Sequence, residues 1–128
     1  MKIYGKLTSG FGKGQYFTEL DGYKTQIKKH LNFTSFPGTL NIIIKDIDAI
    51  YDILNQLDFV ALLPFVCNGN QYGGCKCYIA SIYGVACAII IPDKTHHKKE
   101  ILEIISSKNL RDTLSLKNGD EIEIKLDE

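Results

Sequence analysis

The sequence lacks an excess of either charge, because 15 Lys and Arg residues balance 15 Asp and Glu residues. This balance argues against a strongly basic nucleic-acid-binding protein, although it leaves room for a local basic patch. The sequence also lacks any apolar run of the ~18 residues that a membrane span requires. Residues 1–6 show no signal-peptide pattern. These absences predict a cytoplasmic protein without a membrane or nucleic-acid partner.

The few cysteines have a spacing that is wrong for a zinc knuckle. They are Cys67, Cys75, Cys77 and Cys87. Cys75 and Cys77 form a C-x-C pair rather than the usual C-x₂-C, and no second pair follows. We therefore interpret the cysteines as buried free thiols of a reducing compartment, and metal binding is the less favoured alternative.

Short alternating and β-branched segments dominate the sequence and predict a mainly β protein. Strands are predicted over residues 1–7, from residue 16, and over residues 39–44, 59–66, 72–82, 85–91 and 121–126. Apolar spacing predicts helices over residues 23–31, 46–57 and 109–114, and Asn68-Gly69 predicts a hairpin turn. This pattern favours a compact β-barrel with short helical crossovers, in a single domain over residues 1–128.

Residues 9–14 form a glycine-rich loop with the sequence Ser-Gly-Phe-Gly-Lys-Gly. Alternating glycines let the backbone approach a ligand and turn its N–H groups inward, and Lys13 can add positive charge. The loop is not a Walker A motif, because neither Ser nor Thr follows Lys13. It is not the Rossmann motif either, because Gln15 stands in place of the third glycine. The loop is therefore either a phosphate cradle or a flexible turn.

Thr39 and Asn41 are two residues apart in a predicted strand, so both side chains should lie on one face. A hydroxyl and an amide oxygen can share a hard cation such as Mg²⁺, which leaves its other positions to phosphate oxygens and water. An ordinary polar strand edge is the alternative.

Glu103 interrupts the apolar segment Ile-Leu-Glu-Ile-Ile at residues 101–105. A carboxylate there must find a partner or remain hydrated, so it either binds the polar edge of a ligand or faces solvent. His96 and His97 precede two lysines and indicate a solvated loop rather than a metal site, since adjacent histidines on an extended chain point apart.

Taken together, these segments resemble the archaeal CTP-dependent riboflavin kinases. The resemblance is carried by residues 9–17 and by Phe-Pro-Gly-Thr-Leu-Asn at residues 36–41. It continues through Pro92, Thr95, His97, Glu103-Ile104-Ile105, Asn109-Leu110-Arg111-Asp112 and residues 116–120. Lys13 departs from the family pattern, where an acidic residue is more usual, and Ser106-Ser107 replaces a more usual Ala-Pro.

The resemblance implies a small six-stranded cradle-loop β-barrel with short helices. It implies an enzyme that transfers the γ-phosphoryl group of CTP to the 5′-hydroxyl of riboflavin, giving FMN and CDP. Thr39 and Asn41 are expected to bind Mg²⁺, and Thr95 and Glu103 to bind the flavin. The nucleotide is expected to contact Gly10, Phe11, Gly12, Lys13, Gly14, Gln15, Tyr16, Asn109, Leu110, Arg111 and Asp112. We expect a monomer.

Within this hypothesis Glu103 serves as an anchor for the flavin or as the base that accepts the hydroxyl proton, and we favour the anchor. Two other classes remain as alternatives. One is a nucleic-acid-binding regulator of a related barrel fold, whose basic face would comprise Lys94, Lys98, Lys99, Lys108 and Arg111. The other is a flavin- or nucleotide-binding module without catalysis.

Overall fold

The structure is a computed structural model that describes residues 1–9, 18–93 and 100–126. Within these residues the strands are β1 (Lys2–Thr8), β2 (Leu40–Ile43), β3 (Val60–Leu62), β4 (Phe65–Cys67), β5 (Asn70–Tyr72), β6 (Cys75–Ile82), β7 (Val85–Pro92), β8 (Ile101–Ile105) and β9 (Glu121–Leu126). The helices are α1 (Asp21–Leu31), α2 (Ile47–Asn55) and α3 (Leu110–Thr113). Strands therefore dominate, as the sequence predicted.

The strands close into a barrel. Neighbouring strands pair antiparallel in the order β6, β7, β8, β2, β1 and β9. The ring closes where Ala80 and Ser81 of β6 pair with Leu126 and Lys125 of β9. Strand β3 pairs with the other end of β6, outside the ring. These pairings confirm the predicted six-stranded barrel with short helices.

Alternating side chains fill the barrel. In β9, which reads Glu-Ile-Glu-Ile-Lys-Leu, Ile122, Ile124 and Leu126 are buried and belong to the central core. Leu40 and Ile104 join them from β2 and β8. Because strand side chains alternate between faces, the intervening residues of these strands point out of the barrel. This alternation sets which side chains of β2 and β8 can form a site.

A second apolar layer covers part of the outer face. Tyr23 and Ile27 of α1 pack there against a group of side chains that includes Cys77, Ile90 and Ile105. Strands β7 and β8 are therefore buried on both faces in this region, which accounts for the nearly continuous apolar run over residues 85–91.

Three of the cysteines are buried, as expected, and Cys67 is partly exposed. Burial raises the pKa of Cys75 to about 12, with smaller contributions from the nearby carboxylates of Asp93 and Glu103. Burial likewise raises the pKa of Cys77 to about 12. These two thiols therefore stay protonated and unreactive at neutral pH.

Two local predictions were wrong. A strand was predicted to start at residue 16, but Thr18 is helical, while Tyr16 and Phe17 lie outside the described residues. The single strand predicted over residues 59–66 is divided into β3 and β4, because Pro64 lacks the N–H group that a continuous ladder requires. The predicted hairpin turn is confirmed: Asn68 and Gly69 have φ angles of 51° and 79°, as a two-residue turn of this type needs.

Candidate active site

Two segments that are distant in the sequence line one pocket of about 200 Å³. The first segment comprises residues 36–40. The second supplies Ile104, Ser106, Lys108, Asn109, Leu110 and Arg111. The pocket therefore unites the Phe-Pro-Gly-Thr-Leu-Asn segment with the segment around Arg111, which the sequence had indicated only as separate motifs.

Thr39, Asn41 and Glu103 form a polar group on the outer face of the barrel beside this pocket. Leu40 and Ile42 point into the core, so Thr39 and Asn41 face outward together, as predicted. Asn41 pairs with Glu103 across β2 and β8. The Thr39 hydroxyl donates a hydrogen bond to Oε1 of Glu103 at 3.1 Å, and Nδ2 of Asn41 donates to the Thr39 carbonyl at 3.3 Å.

The oxygen atoms of this group fit a hard cation. Because the Thr39 hydroxyl gives its hydrogen to Glu103, its two lone pairs remain to coordinate a cation. The Asn41 amide is bonded through its nitrogen, and its oxygen has the chemistry of a second ligand. The described ranges contain no cluster of three or more His, Cys, Asp or Glu that could hold a metal. Magnesium needs no such cluster when phosphate oxygens complete its shell.

Glu103 lies at the boundary between a polar and an apolar region. On one side it pairs with Asn41 of β2, and on the other with Ile90 of β7, which belongs to the apolar layer under α1. Its side chain is half-buried. The sequence left open whether this carboxylate meets a partner or faces solvent, and the structure gives it a partner in Thr39.

The residues of the Asn-Leu-Arg-Asp segment at 109–112, which begins helix α3, have different roles. Leu110 lines the pocket but is only 4% exposed and packs into the barrel core, so its main role is structural. Asn109 caps the helix, accepting from the Asp112 N–H at 3.3 Å and donating to the Asp112 carboxylate at 2.9 Å. Arg111 is therefore the member of this motif whose charged side chain reaches the pocket.

Arg111 is held by two hydrogen bonds from its Nη2 atom. It donates to the Thr8 carbonyl at 3.1 Å and to Oδ1 of Asn118 at 2.7 Å. Nδ2 of Asn118 donates in turn to the Ser9 hydroxyl at 2.7 Å. Asn118 entered the family resemblance only as one of residues 116–120 and was given no site role, because its contact with Arg111 depends on the tertiary fold.

The predicted residues Gly10, Phe11, Gly12, Lys13, Gly14, Gln15 and Tyr16 lie outside the described residues, and so does Thr95. The residues that flank the glycine segment are described, and both contact the site. Ser9 bonds to Asn118. Thr18 is 1% exposed and accepts a hydrogen bond from the Gly38 N–H at 2.9 Å. The described residues on either side of this segment, Ser9 and Thr18, are therefore held by contacts near the pocket.

The kinase hypothesis gave no site role to Ser106 or Lys108, and Lys108 was predicted only as part of the basic face of the nucleic-acid-binding alternative. Ser106 is 4% exposed, and its hydroxyl donates to the Ala86 carbonyl at 2.8 Å. Its carbonyl accepts from the Phe36 N–H at 2.8 Å, which joins the two pocket-lining segments. Lys108 adds a positive charge to the lining. A basic residue beside the Asn-Leu-Arg-Asp motif was the signal that could have identified it.

The closed barrel thus presents two cationic residues at one pocket and a group of hard oxygen atoms beside it, which suits a small anionic ligand together with a cation. Residues 7–126 match the family model CTP-dep_RFKase, described as a domain of unknown function, DUF120. The chain belongs to this family, CTP-dep_RFKase.

Several curated relatives bear the name riboflavin kinase. The protein from Methanococcoides burtonii is 37% identical over 100% of this chain and 58% of its own length. The protein from Ignicoccus hospitalis is 40% identical over 97% of this chain and 70% of its own length. The protein from Methanocella arvoryzae is 40% identical over 96% of this chain and 56% of its own length. The chain therefore spans little more than half the length of two of these relatives.

No helix in the described residues is long and apolar enough to cross a membrane.

Proposed function

We propose that residues 1–128 form a CTP-dependent riboflavin kinase domain, which transfers the γ-phosphoryl group of CTP to the 5′-hydroxyl of riboflavin. One observation carries the proposal: the Thr39, Asn41 and Glu103 side chains meet at the edge of a pocket that Arg111 also lines. Family membership and the relatives named riboflavin kinase support the same reaction. The family's name supports CTP as the donor.

The nucleotide binds in the pocket with its phosphates toward Lys108 and Arg111. Phosphoryl transfer requires mainly positioning and neutralisation of charge, and both side chains supply positive charge at the lining. The glycine segment, Gly10 to Tyr16, forms the other side of this site under the proposal, because its flanking residues Ser9 and Thr18 contact Asn118 and Gly38.

Thr39 and Asn41 hold Mg²⁺ through the hydroxyl and the amide oxygen. When bound, the ion offsets the negative charge of the phosphate oxygens. Glu103 supports this arrangement, because its carboxylate accepts the Thr39 hydrogen and so leaves the hydroxyl lone pairs available to a cation that would bind there.

Glu103 also anchors the ribityl chain of riboflavin, together with Thr95. One carboxylate oxygen accepts from Thr39, and a carboxylate has a second oxygen that can accept from a substrate hydroxyl. In the reaction the riboflavin 5′-oxygen bonds to the γ-phosphorus, and the bond from that phosphorus to the β,γ-bridging oxygen breaks to release CDP. The hydroxyl proton passes to solvent, since a loose transition state needs little help from a base.

The test is a phosphorylation assay with the purified 128-residue chain, Mg²⁺ and riboflavin, in which CTP and ATP are supplied in parallel and FMN is resolved by chromatography. We expect FMN with CTP and little with ATP. Formation of FMN with ATP alone would support riboflavin kinase activity but contradict CTP as the phosphoryl donor. A folded protein that makes no FMN with either nucleotide would reject the kinase in favour of a binding module.

A further inference from the structure

Three hydrogen bonds join the pocket to the start of the glycine segment. Arg111 donates to the Thr8 carbonyl at 3.1 Å and to Asn118 at 2.7 Å, and Asn118 donates to the Ser9 hydroxyl at 2.7 Å. Asn118 is the central member of this chain of contacts. Its side chain bonds both to Arg111, one of the two cationic residues of the pocket, and to Ser9, the residue immediately before Gly10.

The backbone fixes Asn118 in place. It lies in the turn over residues 117–120, where the Lys117 N–H donates to the Asp120 carboxylate at 2.9 Å. The next residue, Gly119, donates to the Leu7 carbonyl at 2.8 Å, and the Leu7 N–H donates to the Asp120 carbonyl at 2.9 Å. The turn is thereby bonded to the last part of β1, so the Asn118 side chain projects from a rigid support.

The chemistry of an amide suits both contacts. A guanidinium can only donate and needs an acceptor, whereas the Ser9 oxygen here accepts and needs a donor. Asparagine supplies an acceptor oxygen and a donor nitrogen on one short side chain. A long arginine that is already held in one rotamer loses less conformational freedom when a phosphate binds.

We infer that Asn118 is a positioning residue for the nucleotide, because it fixes the Arg111 guanidinium and the Ser9 end of the glycine segment in one arrangement before CTP binds. This inference rests on the proposed function, and it assigns to Asn118 no contact with the reacting atoms. Asn118 therefore acts on affinity for the nucleotide and not on affinity for riboflavin.

The experiment compares the purified wild-type chain with Asn118→Ala, Asn118→Asp and Ser9→Ala, measuring KM for CTP and for riboflavin separately. Asn118→Ala is expected to raise KM for CTP about tenfold, the factor that corresponds to losing a hydrogen bond to a charged group. KM for riboflavin stays within about twofold, since no contact to the flavin changes. Asn55→Ala, an exposed asparagine at the end of α2, is the matched control and leaves both values unchanged.

The two conservative variants separate the contacts. Asn118→Asp keeps an acceptor for Arg111 and is expected to restore KM for CTP to within about threefold of wild type. Ser9→Ala removes only the second contact and is expected to raise KM for CTP about threefold. If KM for CTP is as high in Asn118→Asp as in Asn118→Ala, the contact between residue 118 and Arg111 does not determine nucleotide affinity, and the inference fails.

The turnover of the wild-type chain tests the proposed reaction, whereas the variants test the role of Asn118. An inactive wild-type chain would reject the proposed reaction, and calorimetric titration with CTP would then test Asn118 on binding alone, with the same tenfold loss expected for Asn118→Ala. The inference is overturned if folded Asn118→Ala binds CTP as tightly as wild type. It is also overturned if both KM values rise together, or if the wild-type chain does not bind CTP.

Discussion

Replacing Thr39 with alanine is the most direct perturbation of the proposed cation site. The change removes one hydroxyl, which donates to Glu103 at 3.1 Å and whose lone pairs are proposed to ligate Mg²⁺. Thr39 is half-buried and precedes β2, and Leu40 and Ile42 still fill the core beneath it. The fold should therefore survive, while the proposed cation loses a ligand and the Glu103 carboxylate loses its hydrogen-bond donor.

The magnitude follows from the bond that is lost. A hydrogen bond to a charged group contributes about 1.5–3 kcal/mol. At 1.36 kcal/mol per factor of ten, this corresponds to roughly 10- to 150-fold in rate. Loss of the ligand to the cation adds to this, so we expect kcat/KM for Thr39→Ala to fall by about 100-fold or more. Thr39→Ser keeps the hydroxyl and should stay within about fivefold of wild type.

The assay measures FMN formation at saturating riboflavin while Mg²⁺ and CTP are varied, for wild type, Thr39→Ala and Thr39→Ser. Half-maximal Mg²⁺ should shift to higher concentration only in the alanine variant. Thermal unfolding of each protein shows that activity is not lost through the fold. Equal kcat/KM and equal Mg²⁺ dependence in folded Thr39→Ala and wild type would refute the assignment of Thr39 to the cation.

Two further predictions concern stability. Burial raises the pKa of Cys75, Cys77 and Tyr23 to about 12 in the folded chain, above their ordinary values of 9.0 and 10.0. The folded state therefore keeps these protons longer than the unfolded state, and stability that is complete below pH 9 should decline as the pH rises toward 12. Midpoints of urea unfolding at pH 8, 9.5 and 10.5 measure this decline in stability, and a midpoint that does not change with pH would contradict the prediction. Gly5→Ala should destabilise the barrel by about 1–3 kcal/mol, because the added Cβ would lie 2.3 Å from Ile42 Cγ2 and 2.6 Å from a backbone carbonyl oxygen. A urea midpoint equal to that of wild type would contradict the close approach of β1 and β2.

Features that depend on local chemistry could be predicted from the sequence. Helix α1 follows from the helical spacing of Tyr23 and Ile27, both of which are buried. The hairpin between β4 and β5 follows from the Asn68-Gly69 pair, whose residues adopt positive φ angles. The error at residues 59–66 was also local, since Pro64 was present and argued against one continuous strand.

The site was predictable only in part, because its contacts cross between strands. The two-residue spacing of Thr39 and Asn41 placed them on one face, which the structure shows. The sequence could not show that Asn41 would pair with Glu103, because strand register depends on how the barrel closes. Asn118 was missed for the same reason: Arg111 and Ser9 meet it only in the folded chain.

Ser9 and Thr18, the two residues that flank the glycine segment, suggest where nucleotide preference could be altered under the proposed function. Ser9 and Thr18 are held by Asn118 and by the Gly38 N–H, outside residues 10–17 themselves. Under the proposed function those eight residues contact the nucleotide, so they form a cassette that can be exchanged while the contacts of Ser9 and Thr18 remain. An engineer seeking a kinase with a different nucleotide donor should begin by replacing this cassette between its fixed ends.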